Sequence, residues 1–493
     1  MPIERPDTWT AWIVLTLILV STILMLRSAS TELFWDEADY ALNVSHGWKY
    51  LWSHADYGRH DHGPLSTYLA KLGNDDLPAA VSSVEDRLRL PIALLSSLAI
   101  GFTYWALRHT FGTSRPAALA GSGLLLFSVI RLQDTPIIGP HHLMLLFTLV
   151  FFTLGYRWRN SSHLWAAIVL GSILGVAVTA MTYAIPVALA WGVSVLLAGG
   201  TWLQYDRRQL KISWLTCVVI ATAAAVALVL WPPSILQGAA LHDFLFYLRY
   251  PGHATLVQQA IVESPRAAAY LYWLATLDAP ILICALATVG VCIGRRLRER
   301  CVTCKHVYLA SILTIMLAAA LKAHIAGSRN LLLFMGVLCL AIGALFDELT
   351  KSPRILRWAA AAVLASSMAN LAWLSWNPNR IPYPATDGYR AFVEGNRSRL
   401  GETALAVVYG IPILKFYAEQ SRVPVGWEVT EMPWTTRSDA ELPQDAKYAL
   451  ISELAYRYMP PDQPVRRVID STWKVVWSFK ANRSWGLRLY ERP

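Results

Sequence analysis

Long apolar runs recur through the first three quarters of the sequence and constrain its fold more than any other feature. Each run has about 16–22 residues, the length that an α-helix needs to cross a bilayer. None alternates polar and apolar residues with a period of two, which excludes barrel strands. The chain is 55% hydrophobic and 15% charged, whereas soluble domains carry about 25% charged residues. The pattern predicts a polytopic α-helical membrane protein with about eleven transmembrane helices, at 11–27, 90–107, 116–130, 137–155, 164–182, 184–200, 213–231, 279–294, 307–321, 329–346 and 356–374.

The basic residues of the loops predict how these helices are oriented. If the N-terminus lies inside, every inner turn carries Lys or Arg, and the outer turns are poorer in both for their length. The net charge of +10 then belongs to the membrane topology, and no nucleic-acid partner is expected. Membrane lipids are the expected surroundings. The predicted inner turns are 108–115, 156–162, 205–211, 294–305 and 347–357.

Composition divides the chain into two predicted domains. Residues 1–376 form the transmembrane domain, with long outer loops at 28–86 and 232–278 that include helices lying on the membrane surface. Residues 377–493 are more polar, and short β-like runs alternate there with helical patterns, which predicts a small extracytoplasmic α/β or α+β domain. The β-like runs are 404–408, 448–451, 474–479 and 485–490, and the helical patterns are 389–400 and 413–419.

Six cysteines lie in predicted spans or in the inner loop 294–305, so the outer domain is expected to fold without disulfides. The segment Cys301-Val-Thr-Cys304-Lys-His306 looks like part of a zinc site. A structural zinc needs four ligands, however, and the neighbouring sequence offers no second pair. A pair of reduced thiols is the favoured interpretation.

The first outer loop carries the densest group of acids. Asp36, Glu37 and Asp39 lie within one helical turn directly after the first span. The periodicity predicts a helix along the membrane surface, with an apolar stripe in the interface and a polar stripe facing away. A general base acting at the membrane surface needs such a position, although solvated acids on an ordinary interfacial helix are the alternative. The polar stripe comprises Asp36, Asp39, Asn43 and His46, and the apolar stripe Phe34, Ala38, Ala41, Trp48 and Trp52.

Other outer residues are candidates to bind an anion. Pro64 is well placed to begin a second surface helix, whose N-terminal amides would form an anion site with Arg59, His60 and His62. Ordinary polar loop residues are the alternative. Asp134 is a second outer acid, although a single Asp before Thr-Pro is usually a turn former. The remaining outer cations include Arg131, Lys322, His324 and Arg329.

Several of these motifs, taken in order, resemble the GT-C glycosyltransferases of the protein-mannosyltransferase-like group, which includes the lipid A aminoarabinose transferases. The likeness runs over most of the membrane part, and the polar C-terminal domain also fits that group. It rests on Trp35-Asp36-Glu37-Ala38-Asp39-Tyr40-Ala41, His62-Gly63-Pro64-Leu65-Ser66-Thr67-Tyr68-Leu69, Glu85-Asp-Arg-Leu-Arg89-Leu90-Pro91, Asp134 and Ser328-Arg329-Asn-Leu-Leu-Leu333.

The resemblance implies an inverting transfer of a sugar from a polyprenyl-phosphate donor to a lipid A, glycan or protein acceptor at the outer face. It implies Asp36 as general base or as the carboxylate that orients the acceptor, Glu37 as its support, and Asp134 as the residue that positions the acceptor or a cation. Since Arg, Lys and His can hold a monophosphate, no cofactor or metal is required, although Asp36 with Asp134 would suit a divalent cation. The substrate-binding residues expected on this basis are Asp39, Tyr40, Arg59, His60, His62, Arg131, Lys322, His324 and Arg329.

Two other functions compete with a glycosyltransferase. A transporter or flippase of lipid-linked sugars would place ionisable groups near the middle of the membrane and often shows internal repeats. The spans here are nearly free of Asp and Glu, and the sequence shows no repeat, which favours chemistry at the surface. A membrane scaffold gives no reason for the acids beside the first span. Compact loops favour a bacterial inner membrane, with the site facing the periplasm.

Overall fold

A computed structural model gives the structure of most of the chain. The residues that it describes are 8–28, 32–33, 35–53, 64–78, 83–181, 184–206, 209–238, 266–299, 303–322, 328–377, 386–396, 404–408, 410–421, 429–432, 441–459, 461–480 and 485–493.

Each of the eleven predicted apolar segments forms a helix, so the chain is a polytopic helical membrane protein. Among the residues that the structure describes, six helices are long and apolar enough to cross a bilayer. The number is seven if Ala268–Leu277 and Ala279–Gly294, which meet at 112°, form one broken span. Three further predicted spans are apolar helices of 17 residues or fewer. The described α-helices are Thr8–Ser28, Trp35–Asn43, Trp48–Ser53, Leu65–Asp76, Val84–His109, Arg115–Leu126, Pro140–Trp158, Leu164–Ala180, Ala184–Leu197, Trp214–Leu230, Pro233–Leu236, Arg266–Leu277, Ala279–Glu299, Cys304–Lys322, Leu332–Leu345, Pro353–Trp376, Tyr389–Gly395, Ile411–Gln420, Glu453–Tyr458 and Pro464–Thr472.

Small residues allow the helices Leu164–Ala180 and Trp214–Leu230 to pack closely. A Cβ atom at Gly171 would lie 2.6 Å from the carbonyl oxygen of Val219, and one at Gly175 would lie 2.6 Å from that of Ala223. Two glycines four residues apart therefore let the two backbones touch. Helix association in a membrane depends on such close packing, since lipid tails are as apolar as the side chains.

The C-terminal part contains a five-stranded mixed sheet, and the predicted β-like runs and helical patterns there are confirmed. The strand order is β4-β3-β5-β7-β6; β3 is parallel to β4 and β5, and β7 is antiparallel to β5 and β6. A separate hairpin joins β1 to β2. The strands are β1 (Leu203–Asp206), β2 (Gln209–Ile212), β3 (Leu405–Val408), β4 (Val429–Met432), β5 (Tyr448–Ser452), β6 (Lys474–Phe479) and β7 (Leu487–Glu491).

One hydrophobic cluster runs from the membrane helices into the C-terminal part. It includes Leu33 and Ala38, beside the first span, together with Phe392, Tyr417 and Leu489 from the C-terminal helices and sheet. The two predicted domains, 1–376 and 377–493, therefore share buried surface. That division remains a prediction.

The acidic surface helix differs from its prediction in two ways. It ends at Asn43, and a second short helix, Trp48–Ser53, begins after a turn, so the apolar stripe does not continue along one helix. Its alanines are also buried inside the protein and not in the membrane interface: Ala38 is 0% and Ala41 is 4% exposed. The helix Trp35–Asn43 packs against the helices Leu65–Asp76 and Ile411–Gln420. This packing could not be predicted from the sequence, because residues 411–420 lie far away along the chain.

The loops group at two ends of the helical bundle as the alternating topology predicts. At one end, the turn 110–114 contacts the turn 346–352, and Ser114 N donates to Asp347 Oδ2 at 2.7 Å. The turn 159–163 contacts residues 199–201 there, where Thr201 N donates to Arg159 O at 3.0 Å. We call this the basic end, and the opposite end, which carries the helix Trp35–Asn43, the site end.

Candidate functional site

Glu37 anchors the acidic helix Trp35–Asn43 to two other parts of the site end. Its carboxylate pairs with Arg89, whose Nη2 lies 2.5 Å from Glu37 Oε2, and both side chains are 2% exposed. The backbone amides of Ile137 and Ile138 donate to Glu37 Oε1 at 2.8 Å and 3.1 Å. Hydrogen bonds in which one group is charged are stronger than those between neutral groups. Glu37 therefore fixes the helix that carries Asp36.

The segment that carries Asp134 is a short π-helix, Ile130–Asp134, which we call the π turn. Its N-terminal amides are bound by the buried carboxylate of Asp278: Val129 N donates to Oδ1 at 2.9 Å and Ile130 N to Oδ2 at 3.2 Å. Asp278 itself lies at the break between the helices Arg266–Leu277 and Ala279–Glu299. Short π-helical turns are frequent at functional sites, and this one brings the second predicted acid close to the residues that bind Glu37.

Arg131 lies inside the bundle, with none of its surface exposed. Its guanidinium donates to Ser21 Oγ, on the first span, and to Leu126 O at 3.2 Å. In this geometry Arg131 ties the π turn to the first helix. Its predicted contact with substrate remains a prediction, because contact would require this buried side chain to move.

The turn that carries Arg329 completes the group. The 3₁₀ helix Ser328–Leu331 lies against the π turn. On the same side, His141 Nε2 lies 3.4 Å from Asn330 Oδ1, while the neighbouring His142 faces Ser96 and Thr135 instead. Arg329 is half-buried in this position. Three separate segments that sequence analysis singled out therefore meet at one end of the fold.

Glu32 connects this group to the C-terminal part. Its carboxylate accepts hydrogen bonds from Tyr389 N at 2.9 Å and Arg390 N at 3.1 Å, at the start of the helix Tyr389–Gly395. Its own backbone amide donates to Asp387 Oδ1 at 3.2 Å, and its carbonyl accepts from Arg89 Nη2 at 2.7 Å. An acid at a helix N-terminus satisfies amides that otherwise lack partners.

Glu85 extends the same buried network. Tyr417 donates its hydroxyl to Glu85 Oε1 at 2.7 Å and accepts from Leu33 N at 3.0 Å. Arg390 forms an ion pair with Glu85. Burial and the Glu85 carboxylate raise the pKa of Tyr417 far above its ordinary value, so this hydroxyl keeps its proton. The first outer loop is therefore bonded to two C-terminal helices, and the Glu85 carboxylate in these bonds is almost fully buried, whereas Arg390 is partly exposed.

The network carries more acids than bases, and its titration reflects that excess. Burial, with a smaller effect of the Asp387 charge, raises the pKa of Glu32 from 4.5 to about 7, although the amides of the capped helix oppose the shift. Glu32 is 7% exposed. The strength of this connection between the two parts therefore depends on pH near neutrality.

A cavity of about 420 Å³ lies beside these elements, lined by Trp48, Trp52 and Tyr68 with Lys49 and the end of the helix Trp214–Leu230. Trp52 Nε1 donates to Val229 O at 2.7 Å. Trp48 and Trp52 are 44% and 46% exposed, as expected of aromatic residues at a membrane interface.

The structure places the predicted site residues as follows. Glu37 and Tyr40 are buried, Asp39 and Arg329 are half-buried, and Arg131 is fully enclosed. Asp36, Asp134 and Lys322 lie on described helical segments, but their side chains fall outside the described set. Arg59, His60, His62 and His324 lie outside the described residues, so the anion site predicted before Pro64 stays a prediction.

The residues that sequence reasoning missed are those that hold the site together. Glu32, Asp387, Tyr417 and Asp278 have no motif, and their partners lie between about 150 and 360 positions away along the chain. The sequence contained one signal that could have pointed to these buried partners. It is the pair Glu85 and Arg89, which both lie within a motif that carries the family resemblance. Charged residues inside an otherwise apolar span are a reason to expect buried partners.

Metal ligands are not grouped at this end in the part of the chain that the structure describes. Within that part, one trio of metal-ligating side chains has its ligand atoms within 4.8 Å, namely Cys292, His306 and Glu348 near the basic end. A divalent cation between Asp36 and Asp134 stays a prediction.

The sequence matches no protein-family model and no curated protein. Its structure resembles ArnT from Cupriavidus metallidurans bound to undecaprenyl phosphate, with a TM-score of 0.58 and 14% identity over 97% of this chain and 98% of that one. The apo state of the same ArnT gives 0.43, with 12% identity over 98% of each chain. Arabinofuranosyltransferase AftD from Mycobacteria gives 0.48, with 12% identity over 97% of this chain and 41% of that one. The acidic surface helix, the helical bundle and the C-terminal sheet thus belong to one known architecture, and the protein has the GT-C fold.

Proposed function

We propose that the protein is an inverting glycosyltransferase that moves a sugar from a polyprenyl-phosphate donor to an acceptor at the outer face of the membrane. The observation that carries the proposal is the meeting of the acidic helix, the π turn and the Arg329 turn at one end of a GT-C fold. The ArnT structure with that fold contains undecaprenyl phosphate, the same class of lipid phosphate.

In the proposed reaction, the Asp36 carboxylate takes the proton of an acceptor hydroxyl as its oxygen attacks the anomeric carbon of the sugar. The bond between that carbon and the phosphate oxygen breaks on the opposite face, so the configuration inverts. The polyprenyl phosphate leaves with the bonding electrons, and its growing charge needs cations. Arg329 is the described cation on the three segments that is not fully enclosed, and Arg59, His62 and Lys322 are further candidates.

Glu37 has a positioning role in this proposal. Its hydrogen bonds to Arg89, Ile137 and Ile138 leave it poorly suited to move a proton, but they fix the helical position of Asp36 relative to the π turn. Asp134 at the end of that turn would orient the acceptor. A hexose and a pentose both fit as the sugar, and lipid A, a glycan and a protein all fit as acceptor.

The proposed location is a bacterial inner membrane, with the site end in the periplasm. A test is thiol labelling in intact spheroplasts, in a C217S/C301S/C304S background, with a reagent that does not cross membranes. Ser471→Cys in the exposed C-terminal part should be labelled, and Lys351→Cys at the basic end should be labelled only after lysis. The reverse pattern would invert the topology.

Mass spectrometry of envelope glycolipids, glycans and polyprenyl-phosphate sugars tests the reaction. A deletion strain complemented with the native chain is compared with one that carries Asp36→Asn. Loss of a general base lowers rates about 10²–10⁴-fold, so the sugar should disappear from its acceptor and the donor should accumulate. Asp76→Asn, an exposed acid on the neighbouring helix, is the matched control and should restore the native profile.

Three outcomes would contradict the proposal. If Asp36→Asn restores the profile, Asp36 is not the base. If deletion changes none of these compounds, the protein is not a transferase acting on them. If purified protein in liposomes moves a labelled polyprenyl-phosphate sugar across the bilayer without breaking the sugar–phosphate bond, the protein is a flippase.

A further inference from the structure

The trio Cys292, His306 and Glu348 brings together a thiol, an imidazole and a carboxylate from three different helical segments. Cys292 lies near the end of the helix Ala279–Glu299, His306 in the first turn of Cys304–Lys322, and Glu348 at the end of the 3₁₀ helix Phe346–Glu348. Their ligand atoms lie within 4.8 Å of one another. Cys292, His306 and Glu348 are 9%, 11% and 14% exposed, so the trio is sheltered without being sealed.

The distances within the trio suit one tetrahedral ion. His306 Nε2 lies 2.9 Å from Glu348 Oε1, and Cys292 Sγ lies 3.8 Å from Glu348 Oε2. A zinc ion with bonds of about 2.0–2.3 Å separates its ligand atoms by roughly 3.3–3.8 Å. The two printed separations lie near this range, and all three ligand atoms lie within 4.8 Å of one another, so a small movement of the side chains would admit the ion.

The orientation of His306 is also that of a metal ligand. Its Nδ1 lies 2.5 Å from the hydroxyl oxygen of Thr303. If Nδ1 donates its proton to that oxygen in the neutral ring, Nε2 is the nitrogen that can bind a metal, and it faces Glu348. Metal-bound histidines nearly always have such a partner on the other ring nitrogen.

Without a metal, the same three groups form a hydrogen-bonded set in which the Cys292 thiol donates to Glu348 and the His306 ring lies between Glu348 and Thr303. The zinc content of the purified protein distinguishes this set from a metal site. The sequence segment Cys301-Val-Thr-Cys304-Lys-His306 resembles part of a zinc site, but the neighbouring sequence offers no second pair of ligands. The fold supplies two, Cys292 and Glu348, from segments on either side.

We propose that Cys292 Sγ, His306 Nε2 and a Glu348 oxygen bind one Zn²⁺ ion at the basic end, with water as the fourth ligand. A thiolate together with an imidazole selects zinc over Mg²⁺ and Ca²⁺, which prefer oxygen ligands. Binding removes the proton of the Cys292 thiol. The ion would join three helical segments at a place remote from the acidic helix, so it would act separately from the sugar transfer. Its water position leaves the site open, unlike a structural zinc with four protein ligands.

The test measures zinc in full-length protein, purified in detergent through a tag without histidines and dialysed against metal-free buffer. Mass spectrometry of the metal content should find about one zinc per chain in the native protein. Cys292→Ser and His306→Gln should lower that content at least tenfold. Cys284→Ser changes another cysteine of the same helix, eight positions earlier, and should keep the native content. Thr303→Val should weaken zinc binding about tenfold without removing a ligand.

Cobalt substitution separates ligand loss from misfolding. Native protein and Cys284→Ser should show the absorption of a thiolate bonded to Co²⁺, and Cys292→Ser should lack it while it elutes as a single species in size exclusion. Native protein with neither zinc nor the cobalt band would overturn the proposal. Zinc that persists in both Cys292→Ser and His306→Gln would overturn it as well.

Discussion

The two ends of the helical bundle are held together by different kinds of bonds. At the site end, buried side chains bind backbone groups of remote segments: Glu37 accepts from Ile137, and Glu32 from Tyr389. At the basic end, Arg108 donates to Thr113 O within one turn, and the longer-range bond from Ser114 to Asp347 joins side chains that are only partly buried. The two ends therefore depend on different information in the sequence.

The basic end follows from composition, since Lys and Arg beside apolar runs are enough to predict it. The site end requires a particular three-dimensional arrangement, because each buried charge needs a partner that the chain supplies from elsewhere. Substitutions at the site end should consequently have the larger effects on stability.

The largest effect is expected for Glu37→Gln. The change leaves Arg89 buried with less compensating charge, and breaking a buried ion pair destabilises a protein by about 3–5 kcal/mol. Unfolding in mixed micelles with increasing SDS measures the free-energy change. The control is Asp470→Asn, which removes a pair with Arg466 in which Asp470 is 47% exposed, and it should change stability by about 1 kcal/mol or less. Equal losses of unfolding free energy in the two variants would show that the buried ion pair contributes no more to stability than the exposed one.

A smaller effect is expected from the pH dependence of Glu32. Its pKa is about 7 in the folded protein and ordinarily 4.5, so between these values the folded state holds a proton that the unfolded state has lost. Stability should therefore fall as pH rises from about 4.5 to 7, by at most about 3 kcal/mol, and this contribution should be constant outside that window.

Glu32→Gln keeps an oxygen for the amides of Tyr389 and Arg390 but cannot titrate, so it should flatten that decline in a series of thermal melts. Glu394→Gln, an exposed acid on the same capped helix, should preserve the native profile. An unchanged slope in Glu32→Gln would assign the pH dependence to another group.

The smallest effect is expected at the basic end, for Ser114→Ala. Ser114 caps the helix Arg115–Leu126 through Ala117 N and also donates to Asp347 Oδ1 at 2.5 Å. Loss of an N-cap costs about 1 kcal/mol. Unfolding in SDS micelles, with the exposed Ser45→Ala as reference, measures it. A loss of 3 kcal/mol or more would mean that the basic end is held as firmly as the site end.

The helical architecture could be predicted from the sequence because each span is a local pattern of apolar residues. The strands β3, β5, β6 and β7 were predictable for the same reason, since their alternation and turn residues are local. The sequence predicted which residues form the acidic helix but not what the helix packs against. Its packing partner Ile411–Gln420 lies far away along the chain.

The roles of the predicted site residues stay a prediction, although the segments that carry three of them meet in the fold. Local motifs identified the helix with Asp36, the π turn with Asp134 and the turn with Arg329, and these segments meet. Asp278 and Glu32 could not be found in the same way, because neither has a local partner and each becomes meaningful only through a contact with a distant segment.

The bond between Glu32 and the helix Tyr389–Gly395 also sets a delay in biosynthesis. The acid and the amide of Tyr389 are 357 residues apart, and a ribosome that adds about 5–20 residues per second needs roughly 20–70 s to cover that distance. Throughout that interval Glu32 lies beside the first span without the amides of the helix Tyr389–Gly395. Glu85 likewise has no ion pair until Arg390, 305 residues further along the chain, has been synthesised. The strand β7, an inner strand of the sheet, is made later still. The site end is therefore the last part of the molecule to mature, and a nascent chain released early would leave its acids accessible to the machinery that removes unfinished membrane proteins.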